Sequence, residues 1–185
     1  MKNIENIEPS LVEDFLEQGR NLCPEILPAL KKEFPEFEII SVEELLYEDI
    51  EEFEAAGIKF KGFIDLVIKT PDGKYHVIDW KTCSWGWDAR KKSDKMIAYQ
   101  LSFYKNYFAK KHNIDLKNIE TYFILLKRTA KKSKVEVLKI SNADRRIKNS
   151  LALLERAIIN INNNKTVKNK LSCSRCHLYK VHCNG

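Results

Sequence analysis

The stretch GFIDLVIKTPDGKYHVIDWK, residues 62–81, decides how this chain is read. Two apolar, β-branched runs flank Thr70-Pro-Asp-Gly73, a tight turn, so Lys59 to Lys69 and Lys74 to Lys81 are predicted as the strands of a hairpin. Strands packed against helices are usually apolar, yet Asp65 and Asp79 interrupt these two, and a charge there is costly unless something pairs with it. Pairing around a turn near Asp72 and Gly73 sets residues whose numbers sum to about 145 opposite each other. Asp65 therefore lies across from about Asp79 or Lys81, and Lys81, two residues beyond Asp79, points to the same face. Neighbouring carboxylates repel, and a divalent cation such as Mg²⁺ or Mn²⁺ between them explains the arrangement best, since both are hard ions that take oxygen ligands. A lysine beside such an ion can position or deprotonate its water, which is equipment for phosphodiester hydrolysis. The plainer alternative is an Asp–Lys ion pair with the second Asp partly solvated at a sheet end. Gly62, just before the acidic strand, suits a place where another group comes close.

Outward from the hairpin, Ser10-x-x-Glu13 reads as a capping box opening a helix over Leu11 to Arg20. Pro24, after Cys23, starts a second helix through Glu33 that Pro35 stops. Phe37 to Tyr47 is predicted as a strand or two, and the acidic run Glu48 to Glu54 as a solvated loop. Beyond the hairpin come a helix over Ser93 to Lys111, strands over Glu120 to Leu126 and Val135 to Ile140, and a long helix over Asn142 to Ile161. Helices flanking a central sheet make an α/β or α+β sandwich. One domain over 1–185 is expected, with helices and the first cysteine in 1–36, a core in 37–162 and a cysteine-rich tail in 163–185.

Composition sets outer bounds. The chain has 185 residues, 44% hydrophobic and 31% charged, with 6 Gly and 5 Pro, which excludes a collagen-like, low-complexity or disordered chain. No apolar run approaches the ~18 residues of a membrane span. Met1 to Ser10, polar and acidic, is not expected to be a secretory signal, so a cytoplasmic protein with no membrane partner is expected. The 32 Lys+Arg exceed the 26 Asp+Glu, leaving +6, a balance that suits a polyanion such as nucleic acid.

Gly62-Phe-Ile-Asp65, Asp79-Trp80-Lys81 and Gln100-x-x-x-Tyr104 on the next helix, in that order, resemble the PD-(D/E)xK nuclease superfamily and its RecB-type branch. The resemblance implies a restriction-endonuclease-like core with a central mixed sheet. It implies that Asp65 and Asp79 bind the metal with the backbone carbonyl of Trp80, and that Lys81 works on the attacking water. Gln100 and Tyr104, four apart on one helical face, would support the site and the strand. Relatives usually add a metal-binding His from an early helix, but the histidines here are His76, His112, His177 and His182. Glu33, on the apolar face of its helix, is the best substitute, with Glu25 and Glu44 as alternatives.

Cys173-x-x-Cys176 with Cys183 further on needs a fourth ligand, and Cys23 is the obvious donor, which would tie an early residue to three late ones. One cysteine before the core and three after it resemble the iron-sulphur nucleases of CRISPR adaptation and of bacterial break resection, which implies a [4Fe-4S] cluster. Zn²⁺ on the same thiolates, or with His177 or His182 replacing one, is the rival. Cys83 reads as an ordinary half-buried thiol.

These readings converge on a Mg²⁺- or Mn²⁺-dependent DNA exonuclease acting on single strands or ends in recombination, repair or CRISPR adaptation. Room is left for a helicase, recombinase or integrase partner. Trp85 and Trp87 offer rings to stack on bases, and Arg90, Lys91, Lys92 and Lys95 offer cations for phosphates. The rival is a non-catalytic DNA-binding or assembly subunit that keeps the fold and cluster, for which two acids facing a phosphate would be useless.

Overall fold

A computed structural model describes residues 8–166, 173, 176–179 and 181. Two compact units divide the chain, Met1–Ser150 and Leu151–Gly185, and the division falls inside the last helix.

In the first unit a five-stranded mixed sheet runs β1 (Glu38–Asp49), β2 (Lys59–Lys69), β3 (Tyr75–Cys83), β4 (Ile119–Lys127), β5 (Val135–Ile140), with the strands side by side in chain order. All neighbours are antiparallel except β3 and β4. That parallel step needs a crossover, which passes through the short helix α2 (Ala89–Lys92) and then α3 (Lys95–His112). The result is the α+β sheet-and-helix core that the sequence leads one to expect. The hairpin turn is as predicted: the Gly73 amide donates to Thr70 O at 2.9 Å, and Gly73 takes φ 83°, open to glycine at no steric cost. The stretch predicted over Phe37 to Tyr47 is the single strand β1, Glu38–Asp49, with an irregularity between Ile39 and Ser41, and part of the acidic run tightens into a 3₁₀ turn over Glu51–Ala56.

Helix α1 corrects the sequence reading. It is one helix, Pro9–Glu33, with Cys23 inside it, and its N-cap is Glu8 without a side-chain bond. Ser10 therefore lies within the first turn and Glu13 pairs with Arg20 at 3.3 Å instead of closing a capping box. The helix survives Pro24 and Pro28 because they stand four residues apart on its exposed side. The carbonyls that lose their donors, those of Arg20 and Pro24, are thus left where water can reach them. The opposite side carries Leu22, Ile26 and Leu30, and tertiary packing there outweighs the two missing bonds.

Alternation splits the core into two layers. On one face Leu66, Ile68, Ile78, Tyr122 and Ile124 pack with Leu30 and Phe34. The other face carries Val67, Val77, Phe123 and Leu125 and receives α3, whose Leu101 and Phe108 are fully buried. Burial of that kind is worth about 1.5–3 kcal/mol per side chain. Asp94 caps α3 by accepting from the Met96 amide at 2.8 Å, and Asn113 ends it in the left-handed conformation at φ 52°.

The last helix, α4, is Asp144–Asn162. Within the second unit, beyond α4, the Cys176 amide donates to Cys173 O at 3.0 Å and the Tyr179 amide to Cys176 O at 3.1 Å. Cys183 lies outside the described residues. Among the described residues no helix is long and apolar enough to cross a membrane.

Candidate active site

The β2–β3 ladder runs from Lys69–Tyr75 to Leu66–Ile78 and stops. Continued by one step it would set Asp65 directly against Asp79. Instead the strands part there while β3 stays paired with β4 as far as Cys83. The Asp65 carboxylate crosses the gap and accepts the Trp80 amide through Oδ2 at 2.7 Å, a donor the ladder no longer uses. Two carboxylates that would face each other in a closed ladder are thereby given separate partners.

Asp79 is 3% exposed. Its Oδ1 accepts from Gln100 Nε2 at 2.7 Å, and the same amide group lies 3.0 Å from Tyr104 Oη. Gln100 Oε1 accepts from Lys81 Nζ at 2.9 Å. Lys81 Nζ also stands 2.7 Å from Asp79 Oδ2, so this buried oxygen is ion-paired with the lysine. Burial pushes the Asp79 carboxyl above its ordinary value and the Asp65 charge adds to this, against the opposing pull of Lys81. Burial likewise raises Tyr104, and the two acids push it further. Asp65, Asp79, Lys81, Gln100 and Tyr104 therefore stand together.

Gly62 explains how Tyr104 gets there. A Cβ on Gly62 would meet Tyr104 Cε1 at 2.9 Å and Phe60 Cε1 at 3.2 Å. Only a residue without a side chain lets the phenol lie over β2.

A divalent cation fits the donor set at this point, since the buried Asp79 carboxylate feels the Asp65 charge and, among the described residues, the Lys81 ammonium alone is ion-paired with the two acids. Asp65 and Asp79 supply hard oxygens. Among the described residues, however, no group of three or more His, Cys, Asp and Glu stands close enough to hold an ion. Glu33 is not brought to the pair: it lines a hollow at the hairpin-turn end with Thr70, Asp72, His76 and Glu120, on the α1 side of the sheet. Ending α1 at Glu33 fixes that position, and the helical face inferred from the sequence does aim at the sheet, but at its far end. Glu44 is buried against the end of α3, bonded to Ser41, Lys111 and His112. Burial alone would raise its carboxyl, but those three bonds outweigh it and hold it below the ordinary value. Glu25 is exposed on α1.

The segment after β3 divides the expected nucleic-acid contacts. Trp85 is 72% exposed, and Arg90, Lys91 and Lys92 are exposed too. Trp87 is not available: it is 8% exposed, with its ring 5.3 Å from that of Phe123 and Lys91 Nζ 4.8 Å above it. Lys92 is paired with Glu136 at 2.6 Å.

A buried polar chain escaped the sequence reading. Ser102 Oγ donates to Asn142 Oδ1 at 2.7 Å, and Asn142 Nδ2 donates to Thr121 Oγ1 at 2.7 Å, which in turn donates to Ile140 O at 2.8 Å. It clamps the start of α4 to α3 and β4. A lone Asn before a helix reads only as a cap, so nothing in the sequence distinguishes it.

Cys23 and Cys176 are exposed, Cys83 and Cys173 half-buried, and all four are free thiols.

A family model described as the PD-(D/E)XK nuclease superfamily matches residues 7–184. No curated protein matches the chain. Among solved structures, one titled "Crystal structure of SSO0001" is similar at 19% identity and a TM-score of 0.46, covering 95% of this chain and 71% of that one.

Proposed function

The chain belongs to the PD-(D/E)XK nuclease superfamily, whose members generally hydrolyse phosphodiester bonds in nucleic acids and usually use Mg²⁺ or Mn²⁺, and from that premise we propose that it is a metal-dependent DNA exonuclease acting on single strands or ends. The observation that carries the proposal is the single Gln100 side chain that holds Asp79 by its nitrogen and Lys81 by its oxygen, beside the 2.7 Å ion pair of Lys81 with Asp79 Oδ2.

Asp65 and Asp79 would hold the cation. The Trp80 carbonyl would join them, because a strand residue's N–H and C=O leave the same edge and the Trp80 N–H already faces the gap. A bound divalent cation would lower the pKa of water and offset the charge that develops on phosphate. Lys81, tethered by Gln100, is poised to donate to an oxygen beside Asp79 and to leave that acid free for the cation. Tyr104 and Gly62 fix the Gln100 amide. Trp85, exposed at the end of β3, supplies a ring on which an unpaired base can stack.

Cys23, Cys173, Cys176 and Cys183 would carry a [4Fe-4S] cluster, with Zn²⁺ as the alternative. The C-x-x-C turn, in which the Cys176 amide bonds to Cys173 O, supports this reading. Incubating the protein with end-labelled single- and double-stranded DNA tests the activity and its strand preference together. Progressive shortening from an end supports an exonuclease, and internal fragments from a closed circle would reverse that part of the reading.

A further inference from the structure

A groove of about 320 Å³ runs between the first turns of α3 and α4, lined by Lys95, Tyr99, Ser141, Arg145, Arg146 and Asn149. It holds three cations and no carboxylate. Several cations elsewhere in the first unit are held by acids: Lys92 and Lys127 by Glu136, Lys111 by Glu44, Lys74 and Lys139 by Glu120. The three that line the groove are not. Among the described residues neither Lys95 nor Arg145 has an ion pair, and Arg146 bonds only to the Ser141 carbonyl. Asp94, the acid before Lys95, is used as the cap of α3.

The groove is also firmly built and close to the chemistry. The Ser102–Asn142–Thr121 chain fixes its α4 wall against its α3 wall. Tyr99 directly precedes Gln100, which touches both Asp79 and Lys81, and Lys95 lies about 7–8 Å further along the helix axis at 1.5 Å per residue. Lys95 and Tyr99, four apart, share a helical face, so a cation and a half-buried ring line the groove together.

We propose that this groove binds the phosphate backbone of a single-stranded nucleic acid next to the Asp65–Asp79–Lys81 site, with Lys95, Arg145 and Arg146 on phosphates and Tyr99 against a base. This deepens the nuclease reading and rests on it. Unpaired cations without a competing acid gain most from a polyanion, because each phosphate they neutralise releases counterions.

The test is fluorescence anisotropy of a labelled oligothymidylate in EDTA over a salt series, with Mn²⁺-dependent cleavage measured on the same preparations. The Lys95→Gln/Arg145→Gln variant should bind roughly 10-fold more weakly, with a salt slope shallower by about 1.4, at about 0.7 for each phosphate no longer neutralised. Tyr99→Leu should weaken binding without changing the slope, and Lys32→Gln should bind as the wild type does. Wild-type affinity and slope in the double variant, with wild-type cleavage intact, would overturn the groove and leave the nuclease standing. Groove-dependent binding without cleavage by the wild type would overturn the nuclease reading alone. Displacement of the oligonucleotide by inorganic phosphate at constant ionic strength would show a site for isolated phosphate and overturn the backbone assignment.

Discussion

Gly62 and Tyr104 are in such close approach that a methyl group on the glycine would stand 2.9 Å from the tyrosine ring. Because Tyr104 is buried and bonded to the Gln100 amide group, the ring has little room to retreat. Gly62→Ala should therefore cost about 1–3 kcal/mol, the usual penalty of overpacking, and should also slow cleavage by shifting Gln100. Thermal melting and initial rates measure the two effects. A variant as stable and as active as the wild type would show that the close approach constrains nothing.

Gln100 is expected to act as a positioning residue. Gln100→Ala leaves Asp79 Oδ1 and Lys81 without their shared partner, and activity should fall about 10- to 100-fold, as for other groups that orient a ligand. The loss should come with a weakened dependence on Mn²⁺ concentration and an unchanged circular dichroism spectrum. Gln100→Glu keeps the reach but adds a third negative charge beside Asp79, and should not restore the rate.

The hairpin was legible because its turn chemistry and its strand composition agree, and both charges fall at one register. The parting of β2 and β3 was not, since nothing between Ile64 and Ile78 signals that pairing ends there. Continuity of α1 was hidden because two prolines normally mark a boundary, and only their shared exposed side makes them tolerable. Trp85 and Trp87 look equivalent in sequence, but the Phe123 ring on β4 captures one of them, bringing together segments far apart in the chain. Glu33 was placed on the correct side of its helix, yet at the wrong end of the sheet, because periodicity fixes a face and not a position along it.

Acid should destabilise the first unit in two stages through the hollow at the hairpin turn. His76 is packed between Phe34 and Tyr122, and burial lowers its pKa below 6.5, so its contribution to stability is present above that value and is lost as pH falls through the depressed one. Burial works against Glu120 too, but Lys139, Tyr122 and Lys74 outweigh it and hold it at about 2. Its contribution is present above 4.5 and lost as pH falls toward about 2. Urea denaturation across pH should lose the upper stage in His76→Phe and the lower one in Glu120→Gln, the latter costing about 1–2 kcal/mol at neutral pH. Identical pH profiles for wild type and both variants would contradict the assignment.

Protein purified without oxygen should be brown and absorb broadly near ~400 nm if the four cysteines hold an iron-sulphur cluster. Cys173→Ala and Cys23→Ala should then each bleach it and lower the melting temperature. Colourless protein with one zinc per chain would keep the metal set and reject the iron, while metal-free, stable protein would reject both.

The central claim, that Asp65, Asp79 and Lys81 form a metal-dependent phosphodiesterase site, is tested most directly by one comparison. Labelled single-stranded DNA is incubated with wild type and with Asp79→Ala in Mn²⁺ and in EDTA, while binding is followed separately. The account predicts cleavage by the wild type in Mn²⁺ only, none by Asp79→Ala, and similar binding by both. Undiminished Mn²⁺-dependent cleavage by Asp79→Ala, or DNA binding by a wild type that never cleaves, would contradict it.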